Sequence, residues 1–349
     1  MNGKNKQMKK KIAWIELLRI IACFCVIVNH TNSQIFAGTV PSFTWFVSLT
    51  YFFVSKIAVP LFLIISGYLL LEKEESYSKI FARIKSTFIT LAVFSVIYYF
   101  YNYNLGNIPV VSIKGALLQI LNSSNTTSLW YLYLYMGLLM MLPFLRKMVK
   151  GMEQKDFYVF FGISFVFMGT WPIIIHYLPD LTLAKEFELP LFSSYLCLFL
   201  LGGYFKRYGE ITRKMKHICA VLFIVMVGFN VLATYCEYIY VSKDVEKYLF
   251  FDNRALLPIM LSAVCVFCFV KDMQFGGVLE KWICIAGGCT YGIFLLSDFL
   301  IDSLWFVFQK LCWLTHPFLA VVLLEILIFI VGLVLVSILK RIPVIKKLL

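Results

Sequence analysis

Ten stretches of roughly 20 predominantly apolar residues follow one another along the chain, and no hydrophilic block between them is long enough to fold alone. They fall at 12–33, 47–71, 85–104, 128–146, 157–178, 189–206, 216–238, 252–271, 282–304 and 316–339. A hydrocarbon core about 30 Å thick takes roughly 20 residues of helix to cross. The expected fold is therefore all-α, a polytopic membrane protein of about ten transmembrane helices within a single domain covering 1–349. With 61% hydrophobic and 15% charged residues, the chain lacks the polar surface a water-soluble fold of this size requires.

A formal net charge of +13 would suit a nucleic-acid binder only if the cations shared one soluble surface. Instead they alternate between successive connections. One side collects 24 Lys and Arg, beginning with Lys4, Lys6, Lys9, Lys10 and Lys11; the other has six, among them Lys114, Lys185, Lys243 and Arg254. The positive-inside rule then puts both termini in the cytoplasm. The longest connection, 105–127, polar around "NSSNTTS", is expected outside. The basic start and first apolar run resemble a signal peptide, but the run is long, contains Glu16 and Arg19 and has no small-residue cleavage pattern, so an uncleaved first helix is expected. The ten cysteines lie almost wholly inside apolar segments and behave as small hydrophobes, so neither a disulfide frame nor a metal site is expected.

An ionisable group inside a span is expensive enough to be a candidate for function. The first segment holds Glu16, Arg19, Asn29 and His30. At 100° per residue, Arg19 and His30 differ by a net rotation of only about 20° and lie about 16 Å apart along the axis. Glu16 falls about 40° from His30, so all three share one face. The assigned orientation puts Arg19 in the cytoplasmic half and His30 near the outer boundary. Two readings fit. Arg19 snorkels to lipid phosphates beside Glu16 while His30 is an interfacial side chain, or Arg19 holds an anionic cytosolic donor and His30 works on it as a base or nucleophile.

The spacing of Arg19 and His30 on a first helix resembles the acyltransferase 3 family of integral membrane proteins. "VPLFLIISGYLLL", "LWYLYLYMGLLMMLPFL", "FLLGGYFKR", "TYGIFLL" and "LKRIPVIKKLL" resemble that family's segments in its order, over nearly the whole chain. The resemblance implies transfer of an acyl group from acyl-CoA, acetyl-CoA first among donors, to an envelope carbohydrate or lipid-linked sugar. It implies donor recognition by Arg19 and acyl-transfer chemistry at His30. The family's second basic motif has two arginines three apart; here Arg83 fits the second and Ile80 replaces the first, with Lys79 and Lys85 as nearby substitutes. Many members of the family it resembles carry a histidine where this chain has Ser297; Asp298 and Asp302 follow, either to orient His30 or bind an acceptor hydroxyl or, for Asp302, simply to lie at the wet end of the helix.

Three further assignments stay open between structure and function, and a fourth is one of packing. Trp130 and Tyr131 suit an interfacial aromatic belt or a sugar platform. Lys56 can snorkel or reach an external vestibule. Ser66, Gly67 and Tyr68 pack helices or admit a pantetheine arm. Gly287, Gly288 and Gly292 read as packing glycines. His176, His217 and His316, at span ends, are given no role. A transporter or flippase for a sugar-linked lipid, with Arg19 and His30 lining its path, is the rival from another class.

Overall fold

The computed structural model describes residues 12–31, 33–108, 110–121, 128–181 and 193–349. The N-terminal lysines, most of the "NSSNTTS" stretch, Lys185 and the start of the sixth apolar segment lie outside the described residues. Among the described residues all elements are helical.

Helix α1 (Ala13–Thr31) leads into the short α2 (Ser33–Ala37). Ser42 caps α3 (Phe43–Ser55), and after an interruption at Lys56 and Ile57 the same span continues as α4 (Ala58–Leu70). Then come α5 (Tyr77–Asn104), the exposed α6 (Ile113–Leu121) and α7 (Trp130–Gly151). A capping box of Glu153 and Asp156 starts α8 (Gln154–Ser164), which passes through a π-helical turn, Phe165–Thr170, into α9 (Trp171–Tyr177). Next are α10 (Ser194–Tyr208), α11 (Arg213–Tyr240), α12 (Val245–Tyr248) and α13 (Leu257–Val270). The chain ends in α14 (Gly277–Gly287), α15 (Thr290–Leu314) and α16 (Pro317–Leu339). His316 is the cap of α16, its imidazole accepting from the Phe318 amide.

Among the described residues nine helices are long and apolar enough to cross a membrane, one fewer than expected. The difference is α10, whose 15 residues span only about 22 Å. It survives because protein encloses it. A Cβ on Gly202 would sit 2.1 Å from the Ile64 carbonyl, and one on Gly67 would sit 1.7 Å from that of Phe199, so α10 and α4 touch backbone to backbone. The "SGY" and "LGGY" segments are two sides of one crossing. The expected span 282–304 also divides: α14 stops at Gly287, and the crossing helix starts afresh at Thr290.

Helix α1 sits in the interior, packed by α3, α4, α14, α15 and α16, with Leu18, Ala22 and Ile27 fully buried. Its polar face therefore looks into protein. By contrast α11 turns Val221, Ile224, Val225 and Leu232 outward, as a lipid-facing helix does.

Candidate active site

The two ends of the α1 stripe open into different spaces. Arg19 lines a cavity of about 620 Å³, together with Arg83 of α5 and Lys340 and Lys347 beyond α16. Ser86, Thr87 and Thr90 put hydroxyls on the same wall, one α5 face at helical spacing from Arg83. Four cations and a row of hydroxyls in one recess suit a phosphate-bearing ligand.

Arg19 is held by its own helix: Nη1 donates to Glu16 Oε1 at 2.8 Å, and Glu16 is buried. The space for Glu16 comes from Gly287, where any Cβ would lie 2.5 Å from the glutamate side chain. Arg83 is held by Glu75, which also pairs with Lys73 and with Arg146 at 3.2 Å. Burial raises the Glu75 carboxyl, but hydrogen bonds from Lys73, Arg83 and Arg146 outweigh it and hold it at about 2. Lys79 and Lys85, expected beside Arg83, are exposed and do not line the cavity, while Ile80 faces the core. Lys340 and Lys347 supply the extra positive charge, and Lys340 also donates to the Gly288 carbonyl.

His30 lies at the other end, in a space of only about 30 Å³ lined also by Val26, Ala58, Val59, Ser128 and Arg254. Tyr131 and Phe294 belong to both this pocket and the large cavity, so one aromatic wall divides them. On its far side, His30 lines an open cleft of about 390 Å³ with Phe52, Lys56, Trp130, Asp252 and Arg254. The imidazole thus stands between two spaces. Asp298, Arg254 and Lys56 are the charges close enough to act on it.

The surroundings fix this end. Asn29 Nδ2 donates to the Cys25 and Ser55 carbonyls, both at 2.8 Å, bolting α1 to the interruption between α3 and α4. Asp298 accepts from the Ser128 hydroxyl at 2.7 Å and its amide at 3.3 Å. Lys56 does not snorkel: it is buried, pairs with Asp252, and its Nζ lies 3.9 Å from the Phe52 ring centroid. Trp130 carries the Arg254 guanidinium 4.9 Å from its ring centroid. Asp302 is exposed, accepts from Tyr101 at 3.5 Å and lines none of these three spaces. Ser297 is buried with its hydroxyl on the Phe294 carbonyl and lines none of these three spaces.

The sequence reading passes over Glu325, Arg254, Ser128, Lys340 and Lys347. Glu325 had a signal: it is the single charge in an apolar α16, fully buried, accepting from Thr31 next to His30 and from Tyr51 at 2.8 Å. Arg254, Lys340 and Lys347 sit in connections, where a basic residue looks like topology, and Ser128 ends a polar connection with no signal of its own. His176, given no role, pairs with buried Glu237 at 3.1 Å and stacks on Phe250, their centroids 3.7 Å apart. Among the described residues no cluster of His, Cys, Asp or Glu could hold a metal ion.

The fold and site define a multi-pass membrane protein with a cation-lined cavity, a cleft lined by one histidine and, between them, a small pocket that shares residues with both. A family model described as an acyltransferase domain matches residues 12–341, and the chain belongs to that acyltransferase family. It is an acyltransferase. No curated protein and no solved structure matches it.

Proposed function

We propose that this enzyme takes an acyl group, acetyl in the first instance, from cytosolic acyl-CoA and esterifies a hydroxyl of an envelope carbohydrate or lipid-linked sugar. The chain acts as one domain in the cell membrane with both termini cytoplasmic, a reading supported by the bias of 24 to six basic residues. The observation that carries the function is the position of His30, between a recess suited to a phosphate-rich donor and an open cleft suited to an acceptor.

Arg19, Arg83, Lys340 and Lys347 bind the donor's phosphates, while the exposed Lys79 and Lys85 add long-range attraction. Lys56, Trp130 and Arg254 shape the acceptor cleft, with Tyr131 in the dividing wall. His30 takes the acceptor hydroxyl proton as that oxygen attacks the thioester carbonyl. The C–O bond forms, the C–S bond breaks, and the imidazolium returns the proton to the departing thiolate. Asp298, oriented by Ser128, stabilises the imidazolium while it exists. A relay in which a His30 nitrogen carries the acyl group uses the same residues and would show as label trapped on the protein without acceptor.

The test is CoA release and ester formation by the purified protein in nanodiscs, with radiolabelled acetyl-CoA and de-O-acylated envelope carbohydrate from cells lacking the gene. His30→Ala should abolish both while remaining monodisperse. Normal ester formation by that variant would refute the assignment.

A further inference from the structure

We infer that the narrow space beside His30 is a length sieve for the acyl group, admitting acetyl and rejecting longer or dicarboxylic chains. The inference rests on the acyl-transfer reading above and adds which residues set the donor. Its ground is a contrast of sizes: about 620 Å³ on one side, about 390 Å³ on the other, and about 30 Å³ where the imidazole stands. A water molecule needs roughly 10–15 Å³ of such space, so the constriction takes two or three heavy atoms. An acetyl group has three. Butyryl has five and succinyl seven.

The walls explain why the space is small and stays small. Val26 lies one helical turn before His30 on α1, so its branched side chain stands beside the imidazole. Ala58 and Val59 open α4 just after the Lys56–Ile57 interruption, and Asn29 pins that interruption to α1 through the Ser55 carbonyl. Opposite them, Tyr131 meets Phe294 edge-on at 6.0 Å, stacks on Tyr135 at 6.3 Å and touches Phe62 at 5.9 Å. An aromatic wall packed on three sides cannot swing aside without losing those contacts. A longer acyl chain must therefore displace packed side chains or leave its carbonyl short of His30. Discrimination of roughly 10- to 200-fold per methylene is the usual scale for an apolar pocket.

The experiment compares acetyl-, propionyl-, butyryl- and succinyl-CoA as donors for the nanodisc-embedded enzyme, reading ester formed on de-O-acylated envelope carbohydrate. We expect kcat/KM to fall at least about tenfold from acetyl to propionyl and further for butyryl and succinyl. Val59→Ala, and Val26→Ala together with Val59→Ala, should raise the butyryl-to-acetyl ratio about tenfold or more. A ratio is insensitive to the fraction of protein that folds, and a gained activity does not arise from misfolding. Equal use of acetyl and butyryl by the unaltered enzyme, or an unchanged ratio in acetyl-active variants, overturns the sieve and leaves acyl transfer standing. Consumption of none of the four donors overturns both.

Discussion

Replacing Glu75 with glutamine should destabilise the protein in a manner that depends on pH. The carboxyl is 4% exposed and receives Lys73, Arg83 at 2.8 Å and Arg146 at 3.2 Å. Held at about 2 against an ordinary 4.5, its ionised form is favoured by about 3 kcal/mol at full value. Lys73 and Arg83 are about a third exposed, so solvent screens part of this, and we expect about 1–2 kcal/mol. The sign follows from the direction of the shift. A depressed carboxyl contributes its full stability above the unfolded value near 4.5 and loses it as pH falls through the folded value near 2. Thermal unfolding in detergent at a series of pH values reads this out. Glu75→Gln should melt several degrees below the unaltered protein at pH 7, with the gap constant down to about pH 5 and closing toward pH 2. No gap at pH 7, or one that persists undiminished to pH 2, would show that the cluster does not work by charge.

Lys347→Ala should raise the donor KM roughly tenfold with little change in kcat, as loss of a contact made equally in ground and transition states does; an unaltered KM would remove this lysine from donor binding. Glu325→Leu should cost about 1–3 kcal/mol by stranding the Tyr51 hydroxyl, while Glu325→Gln keeps most of the stability, since Thr31 also has the Ile27 carbonyl at 2.9 Å. Melting of both variants alongside the unaltered protein tests it, and a fully stable Leu variant would contradict it. Gly202→Ala should separate α4 from α10 at a cost of about 1–3 kcal/mol or more, whereas Gly137→Ala, with nothing within 4 Å of the new methyl, should melt normally.

The crossing helices were legible because apolar length is a one-dimensional property. The assignment failed where length stopped being the criterion. An enclosed helix such as α10 needs only to fill its place between neighbours, and the glycines of its crossing with α4, Gly67 and Gly202, lie 135 residues apart. The Arg19 and His30 stripe was legible because helical rotation is fixed by sequence separation. Its partners were not, since Lys340, Lys347 and Arg254 reach the site from connections whose charges also report topology. Ile80 is instructive here: a hydrophobic residue replaced an expected cation, and the structure turns that position toward the core and draws cations from beyond α16.

Helix α1 can hold both Arg19 and His30 within a span because its polar face finds partners on α1 itself and on the helices around it. Glu16 takes up Arg19 at one end, in space that Gly287 of α14 provides. At the other, Asn29 ties the helix to the α3–α4 interruption and Thr31 ties it to Glu325 of α16. An isolated helix with this face would be costly in lipid. Packed among its neighbours it becomes a fixed rod, keeping Arg19 and His30 about 16 Å apart along its axis on one side. A thioester that joins a phosphate-rich carrier to a small acyl group has its binding charge and its reactive carbon at opposite ends. The same rod that separates Arg19 from His30 therefore matches the polarity of the proposed donor, which is why the two residues belong on one helix rather than on two that could move apart.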